Sequence, residues 1–465
     1  METGKKLHVH FIAIGGAAMH NLAIALQTSG YIVSGSDDEI QEPSRGRLKE
    51  AGLLPAAEGW FPEKIKAKPD IVILGMHARE DNPELIEAKK LGIKVVSFPE
   101  FFYEESKNKT RVVIGGSHGK TTITSMILFV LKSVGKNFDY MVGAKVEGFD
   151  TMVRMSDAPL IILEGDEYLS SPIDRRPKFH LYQAQIALIS GIAWDHINVF
   201  PQYDQYAEQF KIFADRVPAN GSVIYCGLDP ETVRIMNEST TAAKKVSYGL
   251  PKYRIEDGIT RVKIPGTERE VSLEVFGEHN LMNLEGARMV CAELGVSAIQ
   301  FYESIRHFKG AARRLEELYR DKHTAVFRDF AHSPSKLKAT TEAVRRQFPD
   351  KTLVACMELH TFSSLNEKFL DQYKGSMDAA DVAIVYYNPL TVEHKKLKPI
   401  SEERIQKAFG NANLQVFTNS AKLREKLSSV NTGDSVYLMM SSGNFDGLNL
   451  NELIQIWTGK PLIGA

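Results

Sequence analysis

The sequence predicts an α/β fold built as three consecutive units. Three observations predict it. Short apolar runs ending in glycine or acid alternate with stretches of helical periodicity over most of the 465 residues. The alternation restarts after a charged, aperiodic stretch, "YEESKNKTR", read as a linker near residues 104–109, and again after "FKGAARRLEELYR". Composition is 43% hydrophobic and 25% charged, ordinary for a globular chain of about two to four domains.

Residues 7–14, "LHVHFIAI", read as a buried strand that Gly15 and Gly16 break. "AAMHNLAIALQTSG" has apolar residues at helical spacing and stops at Gly30. "YIVSGSDD" is a second strand ending in carboxylates; "PDIVILGMHA" and "IKVVSFPE" are further strands, with the helix "NPELIEAKKLG" between them. Such alternation implies a parallel sheet. The second unit starts at Val112 and includes the strands "APLIILEGDE", "AQIALISGIAWDH" and "GSVIYCG". Residues 244–277 are glycine-punctuated and β-rich, and read as a small hairpin insertion before the helix "NLMNLEGARMVCAELG". The third unit alternates again through "TAVFRDFAHSP", "TLVACMELH", "VAIVYYN" and "SVYLMMSSGN".

Net charge is −1, which gives no overall field for nucleic acid. Cys226, Cys291 and Cys356 are far apart, so neither a zinc site nor a disulfide framework is expected, in keeping with a reducing cytoplasm. The N-terminal apolar run is too short for a signal peptide, and no later run reaches membrane-spanning length.

The stretch "VVIGGSHGKTTITSMILFVLK" carries the strongest chemical signal. Strand, glycine loop and helix put unpaired backbone N–H groups and partial positive charge at one point, where phosphate oxygens bind. Lys120 adds a point charge and the Thr121 hydroxyl can reach a magnesium ion. Ile114 stands where the common phosphate loop has its first glycine, so the match is GxxGKTT. In the first unit, Gly15, Gly16 and Asp37 suit a nucleotide-like ligand at the strand ends. Ala17 and His20 replace the later glycines of a dinucleotide fingerprint, which argues against nicotinamide.

Other groups cluster at strand ends. Glu164, Asp166 and Glu167 close "LIILEGDEY", with Glu164 the expected magnesium ligand rather than part of a solvated acidic turn. Asp195 and His196 close "SGIAWDH", where His196 is a second-metal or phosphate contact or a structural histidine. Asn280 and Asn283 in "FGEHNLMN" can read an adenine edge or cap a helix. Arg313 and Arg314 suit phosphate clamping or lie solvated, and Asp329 in "RDFAHSP" holds a ribose hydroxyl or caps a helix.

The ordered set "GSHGKTT", "EGDEY", "WDH", "GEHNLMN", "ARRLE" and "DFAHSP" resembles the Mur ligase family, the ATP-dependent ligases that build bacterial cell-wall precursors. The resemblance implies a Rossmann-like UDP-sugar domain at 1–107 and a central P-loop ATPase-type α/β domain at 108–311. A Rossmann-like ligase domain at 312–465 would complete the ATP and acceptor sites. It assigns Gly15, Gly16, Ser36, Asp37 and His77 to the UDP sugar. ATP falls to Gly116, Ser117, His118, Gly119, Lys120, Thr121, Thr122, Asn280, Asn283, Arg314 and Asp329. Magnesium falls to Thr121, Glu164 and His196, and catalysis to Lys120, His196 and Arg314. The implied reaction is amide formation through an acyl phosphate of UDP-N-acetylmuramate, in the cytoplasm, with an amino-acid or peptide acceptor.

Within the family, "EGDEY", "DRRPKFHLY" and "MSSGNFDG" look most like the murein peptide ligase branch, which adds the tripeptide L-Ala-γ-D-Glu-meso-diaminopimelate in peptidoglycan recycling. Gly443 and Gly447 would leave room for that acceptor, and His360, Lys395, Lys396 and Lys398 would supply positive charge. The alternatives are the UDP-N-acetylmuramate–L-alanine ligase branch and a non-catalytic sensor of ATP and UDP sugar. The sensor reading is motivated by Ala193, Leu169 and Ser333, where the family pattern has other residues.

Overall fold

The computed structural model describes residues 7–460 apart from 77, 197–198, 257, 311–313 and 431–432. The chain divides into one compact unit of Met1–Gly249 with Leu284–Phe301 and another of Leu250–Asn283 with Tyr302–Ala465.

The first unit holds two sheets. Strands β1 (His8–Ile12), β2 (Ile32–Ser36), β3 (Ile71–Leu74) and β4 (Lys94–Ser97) run parallel in the order β2-β1-β3-β4. The chain leaves β1 in one direction and returns on its other side, so the end of β1, at Gly15 and Gly16, is a topological switch point. The "YEESKNKTR" linker is a correction. Helix Phe98–Ser106 runs through its first half, started by the capping box of Ser97 and Glu100. Phe98, Phe101 and Phe102 recur at helical spacing and are buried, which outweighs the polar residues beside them.

The larger sheet contains β5 (Thr110–Gly115), β6 (Asp139–Met141), β7 (Val153–Arg154), β8 (Leu160–Glu164), β9 (Ile186–Ile189), β10 (Ser222–Cys226) and β11 (Lys244–Tyr248), in the order β11-β10-β9-β5-β8-β6-β7. Only β7 is antiparallel to its neighbour. Between them, β8 and β9 flank β5, so the residues after all three strands converge on the loop after Gly115. The expected hairpin insertion is narrower than predicted. Residues 244–248 pair in parallel with β10, and only β12 (Tyr253–Glu256), β13 (Ile259–Lys263) and β14 (Glu270–Leu273) form a separate antiparallel sheet.

The second unit contains that small sheet and a sheet of β15 (Glu316–Arg320), β16 (Thr324–Asp329), β17 (Thr352–Glu358), β18 (Val382–Tyr386), β19 (Gln415–Phe417) and β20 (Ser435–Met440). Its order is β15-β16-β20-β17-β18-β19, parallel except at β15. Both faces are covered. Leu353, Ala355 and Met357 of β17 pack into one core, while Val354 and Cys356 pack into the other. Among the described residues, no helix is long and apolar enough to cross a membrane.

Candidate active site

The loop Gly116–Gly119 joins β5 to helix Lys120–Ser133, which buries Ile123, Met126, Ile127, Val130 and Leu131. Gly116 has φ +123°, and a Cβ there would sit 2.1 Å from Ser190 Oγ, so no side chain fits. The loop is pinned from β9: Ser117 N donates to Gly191 O (2.9 Å), and Ser190 Oγ donates to His118 O. Ser117 Oγ in turn accepts from Ala193 N (2.9 Å). Thr121 and Thr122 open the helix, both buried.

Lys120 Nζ donates to Gly116 O and to Glu167 Oε2, each at 2.7 Å. Burial alone would lower its pKa. The nearby carboxylates of Glu167, Asp166 and Glu164 outweigh that and hold it above the ordinary lysine value. Thr121 Oγ1 donates to Glu164 Oε1 (2.8 Å), and Gly143 N donates to Glu164 Oε2 (2.7 Å). The expected magnesium donors Thr121 and Glu164 are thus adjacent. A second donor set, Asp166, Glu167 and His196, has ligand atoms within 4.8 Å of one another. His196 sits 3.7 Å from Glu167 and takes φ +54°, a left-handed conformation that costs a non-glycine residue about 1–2 kcal/mol. The first set offers hard oxygens and the second two carboxylates and an imidazole nitrogen, and both, beside a phosphate loop, fit a divalent cation.

Glu167 and Tyr206 lay beyond the sequence reading. The sequence shows Glu167 as one of three acids at and beyond the end of β8, but nothing in it marks Glu167 as the partner of Lys120. Tyr206 sits on the buried face of helix Tyr203–Asp215, where an aromatic reads as core. Leu169, at a departure from the family pattern, is buried and pairs with Pro177 as an isolated bridge.

At the switch point of the first sheet, Gly15 N donates to Asp37 Oδ2 (2.7 Å), and burial raises the Asp37 pKa. Gly16 immediately precedes helix Ala17–Thr28. Ser36 is buried and takes a hydrogen bond from Lys64 Nζ (3.0 Å), inside the domain. His77 lies outside the described residues. A cleft of about 280 Å³ links the two sheets of this unit, lined by Ala17, Asn21, Met152, Lys120, Glu164 and Lys178 among others.

The remaining expected residues belong to the second unit. Asn280 Nδ2 donates to Phe276 O (3.0 Å) and is buried, while Asn283 is half-buried. The Arg314 guanidinium lies over the Phe330 ring, 4.4 Å from its centroid. Arg313 lies outside the described residues. Asp329 Oδ1 accepts from Leu315 N (3.1 Å) and Phe330 N (2.7 Å), and Oδ2 accepts from Thr340 Oγ1 (2.7 Å).

Residues 8–110 match the Mur ligase family, catalytic domain; 114–291 the Mur ligase middle domain; and 313–443 the Mur ligase, glutamate ligase domain. UDP-N-acetylmuramate–L-alanine ligase of Pelodictyon phaeoclathratiforme is 31% identical over 83% of this chain and 80% of its own. The chain belongs to the Mur ligase family. As such it is an ATP-dependent carbon–nitrogen ligase that forms ADP and phosphate, an enzyme of cell-wall biogenesis. The enzyme of the same name from Sulfurihydrogenibium sp. is 29% identical over 97% of this chain and 98% of its own. Two solved structures share this Mur ligase fold. UDP-N-acetylmuramate–alanine ligase from Thermotoga maritima has TM-score 0.73 at 19% identity, covering 98% of this chain and all of its own. Murein peptide ligase from Psychrobacter arcticus has TM-score 0.67 at 21% identity, with the same coverage.

The sequence relatives overturn the peptide-ligase reading of the acceptor: those matched along nearly the whole chain, at 28–29% identity, are named for L-alanine, while the two solved structures, at 19–21%, share the fold alone. In "MSSGNFDG" the glycines serve the domain's own packing and turn. A Cβ on Gly443 would lie 2.9 Å from both Glu358 Oε2 and His360 Nδ1, so the missing side chain accommodates the domain's own groups. Ser441 Oγ and Phe445 N both donate to Glu358 Oε2, closing the segment on itself. Gly447, at φ +82°, serves a turn in which Phe445 and Asp446 also have positive φ.

Proposed function

We propose that this Mur ligase joins L-alanine to the lactyl carboxylate of UDP-N-acetylmuramate at the expense of ATP, with magnesium. The observation that carries the ATP half is Lys120, held at a helix N-terminus between the Gly116 carbonyl and a buried carboxylate. The relatives named for L-alanine support the acceptor. A carboxylate resists amine attack until one oxygen becomes a leaving group, and phosphorylation by ATP supplies one. In this reading the loop N–H groups and Lys120 hold the transferring phosphoryl group and neutralise its charge as it moves. Thr121 and Glu164 would hold the metal ion, with Glu167 and His196 beside them; the bound ion offsets charge on the phosphate oxygens. Gly15, Gly16 and Asp37 would hold the UDP end of the donor. The cleft beside Asn21, Met152 and Lys178 would lead its carboxylate toward Lys120. The domain division proposed is the one at 107 and 311.

The test is competition. UDP-N-acetylmuramate and ATP are supplied with equal L-alanine, L-serine, glycine and the diaminopimelate tripeptide, and products are resolved by mass. A mono-alanyl product with equimolar ADP is expected. ADP release that ignores L-alanine would overturn the acceptor assignment.

A further inference from the structure

Tyr206 is fully buried on helix Tyr203–Asp215, and its hydroxyl touches both the phosphate loop and the partner of Lys120. Its oxygen is 2.7 Å from Ser117 Oγ and 3.0 Å from Glu167 Oε1. Proton counting fixes the direction of the chain. The Glu167 carboxylate only accepts, so the single Tyr206 proton points to Glu167. Ser117 must then donate its own proton to the Tyr206 oxygen, while its oxygen accepts from Ala193 N at 2.9 Å. The result runs one way, from Ala193 N–H through Ser117 and Tyr206 to Glu167, which holds Lys120 Nζ at 2.7 Å. Each donor in such a chain polarises the next.

We infer that Tyr206 is a positioning residue that sets both the shape of the phosphate loop and the grip of Glu167 on Lys120. Donation from Tyr206 spreads charge away from Glu167, which eases transfer of Lys120 from carboxylate to phosphate. The link to Ser117 holds the loop in the same stroke. Burial beside Glu167 pushes the Tyr206 pKa well above the ordinary value, so the phenol keeps its proton. Removing the hydroxyl tightens the resting Lys120–Glu167 pair and frees Ser117, and both changes weaken phosphate binding.

The inference rests on the loop binding ATP, and the test separates the two. A nonhydrolysable ATP analogue is titrated calorimetrically into the full-length protein and its variants, with melting temperature measured in parallel. Tyr206→Phe keeps the ring against Phe200 and Phe210, whose centroids lie 5.7 and 5.3 Å away. It is expected to weaken the analogue about tenfold, the scale for groups that orient a site's contacting residues. Ser117→Ala cuts the same link from the loop side, and the double variant should bind like either single one. Were Tyr206→Phe not to fold, Ser117→Ala alone decides by the same tenfold loss. Tyr206→Phe binding within about twofold of the wild type, or losses that multiply in the double variant, overturns the inference. Failure of the wild type to bind the analogue overturns the ATP reading itself.

Discussion

At the loop after β5, Lys120 meets the carboxylate of Glu167 beyond β8 at 2.7 Å, and Thr121 that of Glu164 at the end of β8 at 2.8 Å. At the turn after β16, Asp329 directs both oxygens onto Leu315, Phe330 and Thr340 of its own domain. Both places present polar residues at a parallel-strand end, followed by a helix. The first gathers charge from several strands around the start of its helix. The second uses its charge to close the turn. A charged group bonded within its own turn and one bonded across strands look alike in sequence, and only the partners distinguish them.

The largest effect should come from Lys120→Ala. Turnover is expected to fall about a hundredfold or more, because charge on the transferring phosphoryl group loses its counter-ion. The loss should not be confined to activity. Glu167 is 1% exposed at its side chain and would become a buried carboxylate without its lysine, at a cost of about 3 kcal/mol. Adding Glu167→Gln should recover most of the lost melting temperature and none of the turnover. Stability unchanged in Lys120→Ala would show that the pair carries no structural load.

That pair marks the limit of what the sequence revealed. The strands and helices around the loop were legible because apolar runs and glycine breaks fall at the right period. The loop itself was legible because its chemistry is local, within Gly116–Thr122. Glu167 and Tyr206 were not, because their partners are 47 and 89 residues distant and only the strand order brings them together. Helix Phe98–Ser106 is hidden in the sequence because its polar end masks an aromatic face. At Gly443 the sequence does not distinguish a glycine that admits Glu358 and His360 from one that admits a ligand.

Glu164→Gln sharpens the comparison from the metal side. The amide keeps the shape but binds a hard dication poorly, so the magnesium concentration for half-maximal rate should rise about tenfold. The Thr121 and Gly143 contacts leave protein stability little changed. An unaltered magnesium titration would mean that the Asp166, Glu167 and His196 set serves the ion instead.

Asp329→Asn asks whether the turn after β16 is truly closed on itself. The amide oxygen can keep the Leu315 and Phe330 N–H bonds, while the amide nitrogen must donate to the Thr340 hydroxyl that donated to the carboxylate, so charge-assisted bonds become neutral ones, at about 1–2 kcal/mol of stability in urea unfolding. The KM for ATP should move less than about threefold, below the 1.4 kcal/mol that a tenfold change represents. A large rise in KM with unchanged stability would make Asp329 a nucleotide contact and erase the contrast with the loop.

The smallest effect concerns Glu358, which closes the turn after β20 in the same self-directed way. Burial pushes its pKa up, but hydrogen bonds from His360, Ser441 and the Phe445 backbone outweigh burial and leave it below the ordinary value of 4.5. A carboxylate depressed in the folded state stabilises above its unfolded pKa, and that stabilisation fades as pH falls through the folded one. Wild type should therefore exceed Glu358→Gln by about 1 kcal/mol at pH 6, the scale of one net hydrogen bond. The gap should narrow as pH falls below 4.5 and through the lower folded pKa, where protonated Glu358 comes to resemble the amide. Hydrogen exchange of the β17 and β20 amides, compared between the two proteins at each pH, reads this difference locally. A gap independent of pH would assign the stabilisation to side-chain shape, and the turn would then owe nothing to its charge.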